Sequence, residues 1–488
     1  MNKKYFYITT TLPYVNAAPH IGFALEIVQA DAIARWKRMN GYEVVFNTGT
    51  DEHGLKIYQK AIEEGKDPQA YTDEYAPKFD RLKSALNLTY TNFIRTTDAH
   101  HVAAAQEFWK RCEANGDIYK KEYKVKYCVG CELEKTDSEL ENGKCPVHPN
   151  LELELIEEEN YFFRFSKYGK KLLEIYDTHP DFVLPPHRLK EIRMFVERGL
   201  QDFSISRLKE KMPWGIPVPG DEKQVMYVWF DALVNYISTI GWPSSEDADE
   251  GSGMFERFWG NKDAPNAIQV AGKDNLRQQS AMWQAMLCSA GLPPSKQILI
   301  HGFITSGGQK MSKSLGNVVD PYEVIEKYGT DAARFWLLRD VPVFEDGDFT
   351  WKRFMESYNA NLANGLGNLV SRVIKMARTY GVTLEKNREE IRGMEPYREA
   401  MEQYDFQKAM NVVWERIQIS DKYIQETEPF KTIKTDPEKA KRDVKELLES
   451  VWEIAALLAP LLPGSSEKIR EAVENPAAEI APLFPRID

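Results

Sequence analysis

The 488-residue sequence has no run approaching the ~18 consecutive apolar residues of a membrane-spanning helix. An integral membrane protein built from helices is therefore not expected. The N-terminus, "MNKKYFYITTTLPYV", also lacks the apolar core of a secretory leader, because Thr9 to Thr11 and Pro13 interrupt it. Cysteine is scarce: five residues, three of them within 128–145, which in a reducing compartment suggests metal binding and not disulfides. Positive charge is in deficit, with 63 Lys and Arg against 74 Asp and Glu for a net of −11. An acidic chain binds nucleic acid only through local basic patches, since neutralised phosphates supply the affinity. After Trp351 the balance is 21 basic to 23 acidic, a net of −2, so that third repels a polyanion less. No internal repeat or long low-complexity tract is present; "SSEDADEGSG" (244–253) reads as a short solvated loop. What is there is a globular composition, 43% hydrophobic and 12% aromatic. A soluble, cytoplasmic chain of roughly three or four domains is expected.

"KKYFYITTT" (3–11) reads as a buried strand, and a turn with Pro13 and Pro19 follows. In "IGFALEIVQADAIARWKRMNG", Leu25, Val28, Ile33, Trp36 and Met39 fall near helical spacing, and Gly41 marks the stop. "YEVVFNTGT" is the next strand. Strand, loop, helix and strand begin an α/β fold with a Rossmann-type parallel sheet, whose ligands sit at the carboxyl ends of strands. Residues 118–222 break this rhythm with a cysteine cluster, polar stretches and "MPWGIPVPG", and read as an insertion. The strand pattern resumes at "QVMYVWFDALVNYI", "AIQVAGKDN" and "KQILIHGFIT"; after "DFTWKRFM" the chain turns helical. The expected segments are 1–117 and 223–300 for the two halves of the sheet, 118–222 for the insertion, 301–351 for a lysine loop and linker, and 352–488 for a helical bundle.

"GQKMSKSLGN" (308–317) sets Lys310 and Lys313 three apart among serines and between Gly307, Gly308 and Gly316. A mobile glycine-bounded loop with two cations suits closing over a polyanion; the alternative is a solvated basic loop. His20 and Gly22 stand where the first strand hands over to a helix. A helix N-terminus favours phosphate and Gly22 permits close approach, although an exposed histidine beside a packing glycine has the same local pattern. Cys128-x₂-Cys131 and Cys145-x₂-His148 are two chelating pairs separated by thirteen residues. Three sulfurs and one nitrogen form a normal tetrahedral, closed, structural zinc set; the alternative is three buried thiols beside a surface histidine. Cys112 and Cys288 read as ordinary buried thiols. In the helical third, Leu362, Leu366, Leu369, Val373 and Met376 form a core stripe. Asn361, Asn364, Asn368, Arg372 and Lys375 form a polar one, either a solvent face or a reader of unstacked bases.

"PHIGF" and "KMSKS" (310–314) resemble the two signatures of class I aminoacyl-tRNA synthetases. "TLPYVNAAPHIGFALEIVQAD", "GTDEHG", "YCVGCE", "ENYFFRFSKY", "YVWFDALVNY", "GKDN", "HGFITSGGQKMSKSLGN" and "NLVSR" resemble the methionyl-tRNA synthetase family, in its order and across nearly the whole chain. The resemblance implies ATP-dependent activation of methionine and transfer to the 3′-terminal adenosine of tRNA(Met), with Mg²⁺ accompanying ATP. It implies His20, Lys310 and Lys313 as catalytic groups, with Gly22 and Ser312 also at ATP. It places Leu12, Tyr14, Asp51, Trp229, Tyr236, Gln279 and Trp283 around methionine. Sulfur packs well on aromatic rings, and a carboxylate offsets a buried ammonium. Trp229 and Tyr236, seven apart, would share a face of a continuous helix; as isolated residues, such aromatics can equally be plain core. The resemblance further implies a zinc knuckle in a connective insertion, and an all-α anticodon-binding bundle reading bases with Asn368, Arg372 and Phe430. A monomer with no further C-terminal module is expected.

The sequence departs from the family's pattern at Phe23, where a second histidine is usual, and Leu233 replaces a proline found in one branch. Gln278 and Gln279 replace a common aromatic–histidine pair, and Phe430 replaces a tryptophan. Competing readings are a synthetase for another apolar amino acid, a small nucleotidyltransferase, and a non-catalytic tRNA-binding paralogue.

Overall fold

The computed structural model describes residues 3–131, 133–135, 137–243, 253–311, 316–384, 394–476 and 481–487; Ser312 and Lys313 lie outside the described residues. The chain forms two compact units. The first comprises Met1–Ala18, Glu43–Asp80 and Tyr90–Ile300, and the second Pro19–Tyr42, Arg81–Thr89 and His301–Asp488.

The first unit is built on a six-stranded sheet of β1 (Lys4–Thr10), β2 (Tyr42–Thr50), β3 (Asn92–Arg95), β4 (Val183–Leu184), β5 (Ala267–Gly272) and β6 (Gln297–His301). The order across the sheet is β3-β2-β1-β5-β6-β4. β1 runs parallel to β5, β2 to β3, and β6 to β4. Every residue of β5 and β6 is buried, the mark of parallel strands covered on both faces. The order reverses between β1 and β5, so the loops after these two strands open the crevice where such sheets bind ligands. Aromatics fill the core, with Trp109, Trp259 and Trp283 fully buried.

Between β3 and β5 in the chain, Ile118–Cys128 pairs antiparallel with Glu154–Phe163 and with Leu133–Lys135. Phe203–Ser204 extends the far edge of that sheet. β4 lies inside the span 118–222, yet it joins the edge of the parallel sheet. "QVMYVWFDALVNYI" differs from its strand-like pattern. Asp221–Met226 is a strand of a small antiparallel sheet, and the chain then turns into the short helices Val228–Ala232 and Asn235–Ser238. The aromatic and β-branched run that mimics a strand is broken by Asp231 and Asn235. Both are buried and need polar partners that a strand of the apolar core would not offer.

The second unit holds α1 (Ile21–Met39) and a hairpin of Ile304–Ser306 and Gln309–Lys310, with Gly347–Phe349 parallel to its first strand. From Trp351 onward the described residues form helices and turns, among them α2 (Asn368–Tyr380), α3 (Phe406–Thr427) and α4 (Pro437–Leu458). Leu362, Leu366, Leu369 and Val373 are buried, and Met376 is half-buried at the end of the same stripe. α4 buries Val444, Leu447, Leu448, Val451, Ile454 and Leu458, the three-and-four spacing of a bundle helix. The architecture is thus an α/β Rossmann-type sheet, a cysteine-bearing insertion and a C-terminal helical region. Among the described residues no helix is long and apolar enough to cross a membrane.

Candidate functional site

In the second unit His20 is the N-cap of α1. Its backbone is extended (φ −122°, ψ 169°), and Nδ1 accepts from the Gly22 N–H at 3.1 Å. A nitrogen that accepts this bond is unprotonated, so the neutral imidazole carries its proton on Nε2. The ring folds over Gly22 closely: a β-carbon there would lie 3.0 Å from His20 Cε1 and Nδ1, and 4.0 Å from Met311 Cε. Met311 is the second residue of "KMSKS", so the two short signatures are neighbours. Ile21 N–H donates to Val319 O at 3.0 Å and ties the segment after that motif to the start of α1.

Lys310 is exposed on the second strand of the hairpin. Gly307 and Gly308 turn that hairpin with φ of +60° and +76°, which L side chains rarely adopt. Asp348 Oδ1 accepts from Gly308 N–H (2.7 Å) and Thr305 Oγ1 (2.8 Å), pinning the turn to the neighbouring strand. A buried pair absent from the sequence reading lies nearby in the chain: His301 Nε2 stands 2.9 Å from Glu26 Oε2, and His301 Nδ1 stands 2.7 Å from Gly302 O. It joins α1 to the start of the 301–310 segment that carries the hairpin, both within the second unit.

In the first unit, the loop after β1 is zipped to the end of β2. Tyr14 bridges to Asp51, Asp51 N–H donates to Pro13 O at 3.0 Å, and Val15 N–H donates to Asp51 O at 3.2 Å. Tyr14 Oη donates to His53 O at 2.7 Å. Asp51 is buried; Leu12, Tyr14 and Trp229 are half-buried. Glu52 is paired with Arg95, whose Nε and Nη2 donate to its carboxylate at 2.7 and 2.9 Å.

Trp229 and Tyr236 fall on separate short helices and do not share one continuous helical face. Tyr7 of β1 donates to Tyr236 O at 2.7 Å, and Asn47 of β2 donates to Asn235 Oδ1 at 3.0 Å. These two bonds anchor the helical segment to the sheet. Tyr236, Gln279 and Trp283 come together: Gln279 Nε2 donates to Tyr236 Oη at 2.8 Å, and the rings of Tyr236 and Trp283 meet edge to face at 6.0 Å.

Two further groups inside the quoted words form a buried pair. His53 Nδ1 stands 3.2 Å from Asp231 Oδ2, both buried, with the Trp214 ring 5.4 Å from the imidazole. Burial raises the Asp231 carboxyl above its usual range, partly offset by His53. A polar residue within a hydrophobic word, as in "WFDAL", is the signal that could have found this pair.

Cys128, Cys131, Cys145 and His148 gather with their ligand atoms all within 4.8 Å of one another. Cys131 Sγ is 3.4 Å from Cys145 Sγ and 3.2 Å from His148 Nδ1, and Cys128 Sγ is 3.8 Å from His148 Nδ1. Zinc bonds of about 2.3 Å to sulfur and about 2.0 Å to nitrogen give tetrahedral edges of about 3.5–3.8 Å. The donor set therefore fits a closed, structural zinc ion. A β-carbon at Gly130 would lie 2.6 Å from the His148 ring, so the knuckle turn needs a glycine there.

Along the helical region, Asn368 is exposed at the start of α2, and Arg372 Nη1 pairs with Asp421 Oδ1 at 3.2 Å. Phe430 is exposed, and Ile419 of α3 is 66% exposed. Asn361 of the polar stripe turns back onto its own helix, donating to Ser357 O at 3.1 Å.

A family profile described as "tRNA synthetases class I (M)" matches residues 6–152 and 136–374, and one described as "Anticodon binding domain of methionyl tRNA ligase" matches 379–482. The chain belongs to the methionyl-tRNA ligase family. It is 43% identical over 481 residues to the methionine–tRNA ligase of Thermosynechococcus vestitus, covering 95% of this chain and 89% of that protein. It is 41% identical to that of Thermotoga maritima, covering 97% and 76%. A Mycobacterium tuberculosis methionyl-tRNA synthetase solved in complex with methionyl-adenylate superposes with a TM-score of 0.88 at 35% identity, covering 99% of this chain and 98% of that one. Phe430 lies within the anticodon-domain match, whereas Asn368 and Arg372 precede it.

Proposed function

We propose that this enzyme is a methionine–tRNA ligase working by two displacements. A carboxylate oxygen of methionine attacks the α-phosphorus of ATP; the new P–O bond forms as the bond to the β-phosphate oxygen breaks, and pyrophosphate leaves with the electron pair. A hydroxyl of the tRNA's terminal adenosine then attacks the activated carbonyl and displaces AMP. In-line transfer at phosphorus asks a protein chiefly for positioning and charge stabilisation. The observation that carries this reading is the meeting of the two signatures, with Met311 of the lysine motif against Gly22 of the His20 cap.

In this reading His20 donates from Nε2 to a phosphate oxygen, because its Nδ1 is spent on the helix cap. Lys310 and Lys313 neutralise charge on the leaving pyrophosphate, Gly22 and Ser312 contribute backbone and hydroxyl contacts, and ATP enters as its Mg²⁺ complex. Phe23 cannot donate, so one phosphate contact of the family's usual pattern is absent from that position. Asp51 takes the methionine ammonium, while Leu12, Tyr14, Trp229, Tyr236, Gln279 and Trp283 surround its side chain. Cys128, Cys131, Cys145 and His148 would hold zinc, whose contribution is to cross-link a polar knuckle with little apolar core.

Residues 1–117 and 223–300 act as the nucleotide-binding halves, 118–222 as the connective insertion, 301–351 as the lysine loop and linker, and 352–488 as the anticodon-binding bundle. Asn368, Arg372 and Phe430 contact anticodon bases. The protein works as a cytoplasmic monomer on tRNA(Met).

ATP–pyrophosphate exchange across the twenty amino acids, followed by charging of initiator and elongator tRNA(Met), tests the reading. Methionine alone should support exchange. Exchange with another apolar amino acid, or retained tRNA binding with no exchange, would replace it.

A further inference from the structure

His53 and Asp231 form a buried pair that the proposed mechanism does not use. His53 Nδ1 stands 3.2 Å from Asp231 Oδ2, with side chains 7% and 0% exposed. This is an ion-pair distance without hydrogen-bond alignment, and no other group among the described residues donates to either Asp231 oxygen. A carboxylate taken out of water needs compensation, and here the imidazole supplies it. The other buried imidazole nearby does not share the task. His101 is engaged by Ser238 Oγ at 3.0 Å, and burial, reinforced by His53 and His100, lowers its pKa to about 3, so it stays neutral.

Each member of the pair is fixed within its own segment. Trp214 clasps the residues on either side of His53: its Nε1 donates to Glu52 O at 2.5 Å, its carbonyl accepts from Gly54 N–H at 3.1 Å, and its ring lies 5.4 Å from the imidazole. Asp231 stands on the short helix Val228–Ala232, whose Phe230 packs edge to face on Trp109 at 5.2 Å and on Phe108 at 5.8 Å. Three of the residues proposed to surround the amino acid belong to these two segments or are bonded to them. Asp51 precedes His53 by two positions, Trp229 precedes Asp231 by two, and Tyr14 Oη donates to His53 O at 2.7 Å.

We infer that His53 and Asp231 are positioning residues for amino-acid binding: their ion pair holds the segment of Asp51 and Tyr14 against the helix of Trp229, so that the ammonium and the side chain of one amino acid are met together. The inference rests on the proposed reading of Asp51, Tyr14 and Trp229 as pocket residues. Neither His53 nor Asp231 touches the substrate; each acts through its neighbours. A recognition site is only as sharp as the shell that locks its side chains, so loosening the pair weakens the grip without deleting a contact. In the same reading ATP is held by His20 and the lysine motif, so its binding should not depend on the pair.

The test is ATP–pyrophosphate exchange on wild type, His53→Leu, His53→Asn and Asp231→Asn, with KM measured separately for methionine and for ATP. His53→Leu should raise KM for methionine about tenfold, at nearly unchanged kcat and KM for ATP. Asparagine brings a donor to the position of Nδ1, so His53→Asn should restore most of that loss. Asp231→Asn keeps the shape and removes the charge, and should raise KM for methionine about threefold. Should His53→Leu fail to fold, Asp231→Asn carries the test alone. Equal losses for methionine and ATP, the sign of general destabilisation, would overturn the inference. So would an unchanged KM for methionine, or a His53→Asn variant no better than His53→Leu. Asp51→Asn controls for the reading beneath it: an unchanged KM for methionine there overturns the pocket assignment instead, so the two failures are distinguishable.

Discussion

At His20 one imidazole serves as both helix cap and proposed phosphate donor, and two substitutions separate these tasks. Asparagine caps a helix well but is too short to replace the Nε2 donor. His20→Asn should therefore keep the unfolding midpoint near wild type while lowering kcat for exchange by about 10²-fold. His20→Ala should lose the same activity and, in addition, about 1 kcal/mol of stability in urea denaturation. A second histidine gives a pH dependence. Burial, reinforced by His53 and His100, lowers the pKa of His101 from 6.5 to about 3. The unfolded chain takes up that proton near 6.5 and the folded chain only near 3, so this stability is complete above about 6.5 and is lost as pH falls. The slope is at most about 1.4 kcal/mol per pH unit. His101→Gln should be less stable than wild type near pH 7.5, and denaturation near pH 5 should show the gap narrowed. His101 stood in the helical word "DAHHVAAAQEFW" with nothing to mark it, because its partner Ser238 lies 137 residues away.

Among the elements, the metal knuckle was the most legible. Its four candidate ligands sit in two pairs, each closed by a loop of two residues, so spacing alone places both members within reach of one ion. The requirement for Gly130 was not legible, since it arises from the His148 ring packing where a side chain would stand. Gly130→Ala should push His148 off the site. Purified variant should carry clearly less than one equivalent of bound metal by elemental analysis and unfold at lower temperature, and a full complement at wild-type stability would contradict the knuckle geometry. The stretch around "MYVWFDAL" was misleading because aromatic and β-branched residues favour strands on local grounds. Bonds from Tyr7 and Asn47 draw the following residues into helices on the sheet instead.

At the scale of the molecule, the second unit is locked by a buried ion pair: Arg334 Nη1 lies 2.8 Å from Asp31 Oδ2, both side chains fully buried. Arg334 also donates to Leu461 O at 2.8 Å and Leu86 O at 3.1 Å, joining α1, the 81–89 segment and the C-terminal helices. Glu402 adds to this by accepting from Trp36 Nε1 at 2.8 Å and Lys37 Nζ at 2.6 Å. Arg334→Leu would remove one of two guanidinium partners of the buried Asp31 carboxylate, leaving Arg35 at 2.8 Å and the Thr89 donors, and should cost about 1.5–3 kcal/mol in equilibrium unfolding; a loss below about 1 kcal/mol would show that Arg35 and Thr89 alone satisfy the carboxylate. The sequence by itself determined the fold class and the chemistry on offer, because strands, helices, a chelating knuckle and two phosphate-type signatures are each encoded within a few neighbouring residues. Only the tertiary structure decided which buried groups face one another: Glu26 with His301, His53 with Asp231, Asp31 with Arg334, and Gln279 with Tyr236. These partners stand up to 303 positions apart, the separation of Asp31 and Arg334. No local pattern specifies such a pairing, since it exists only once packing has excluded water and left each polar group to be satisfied by its protein neighbours.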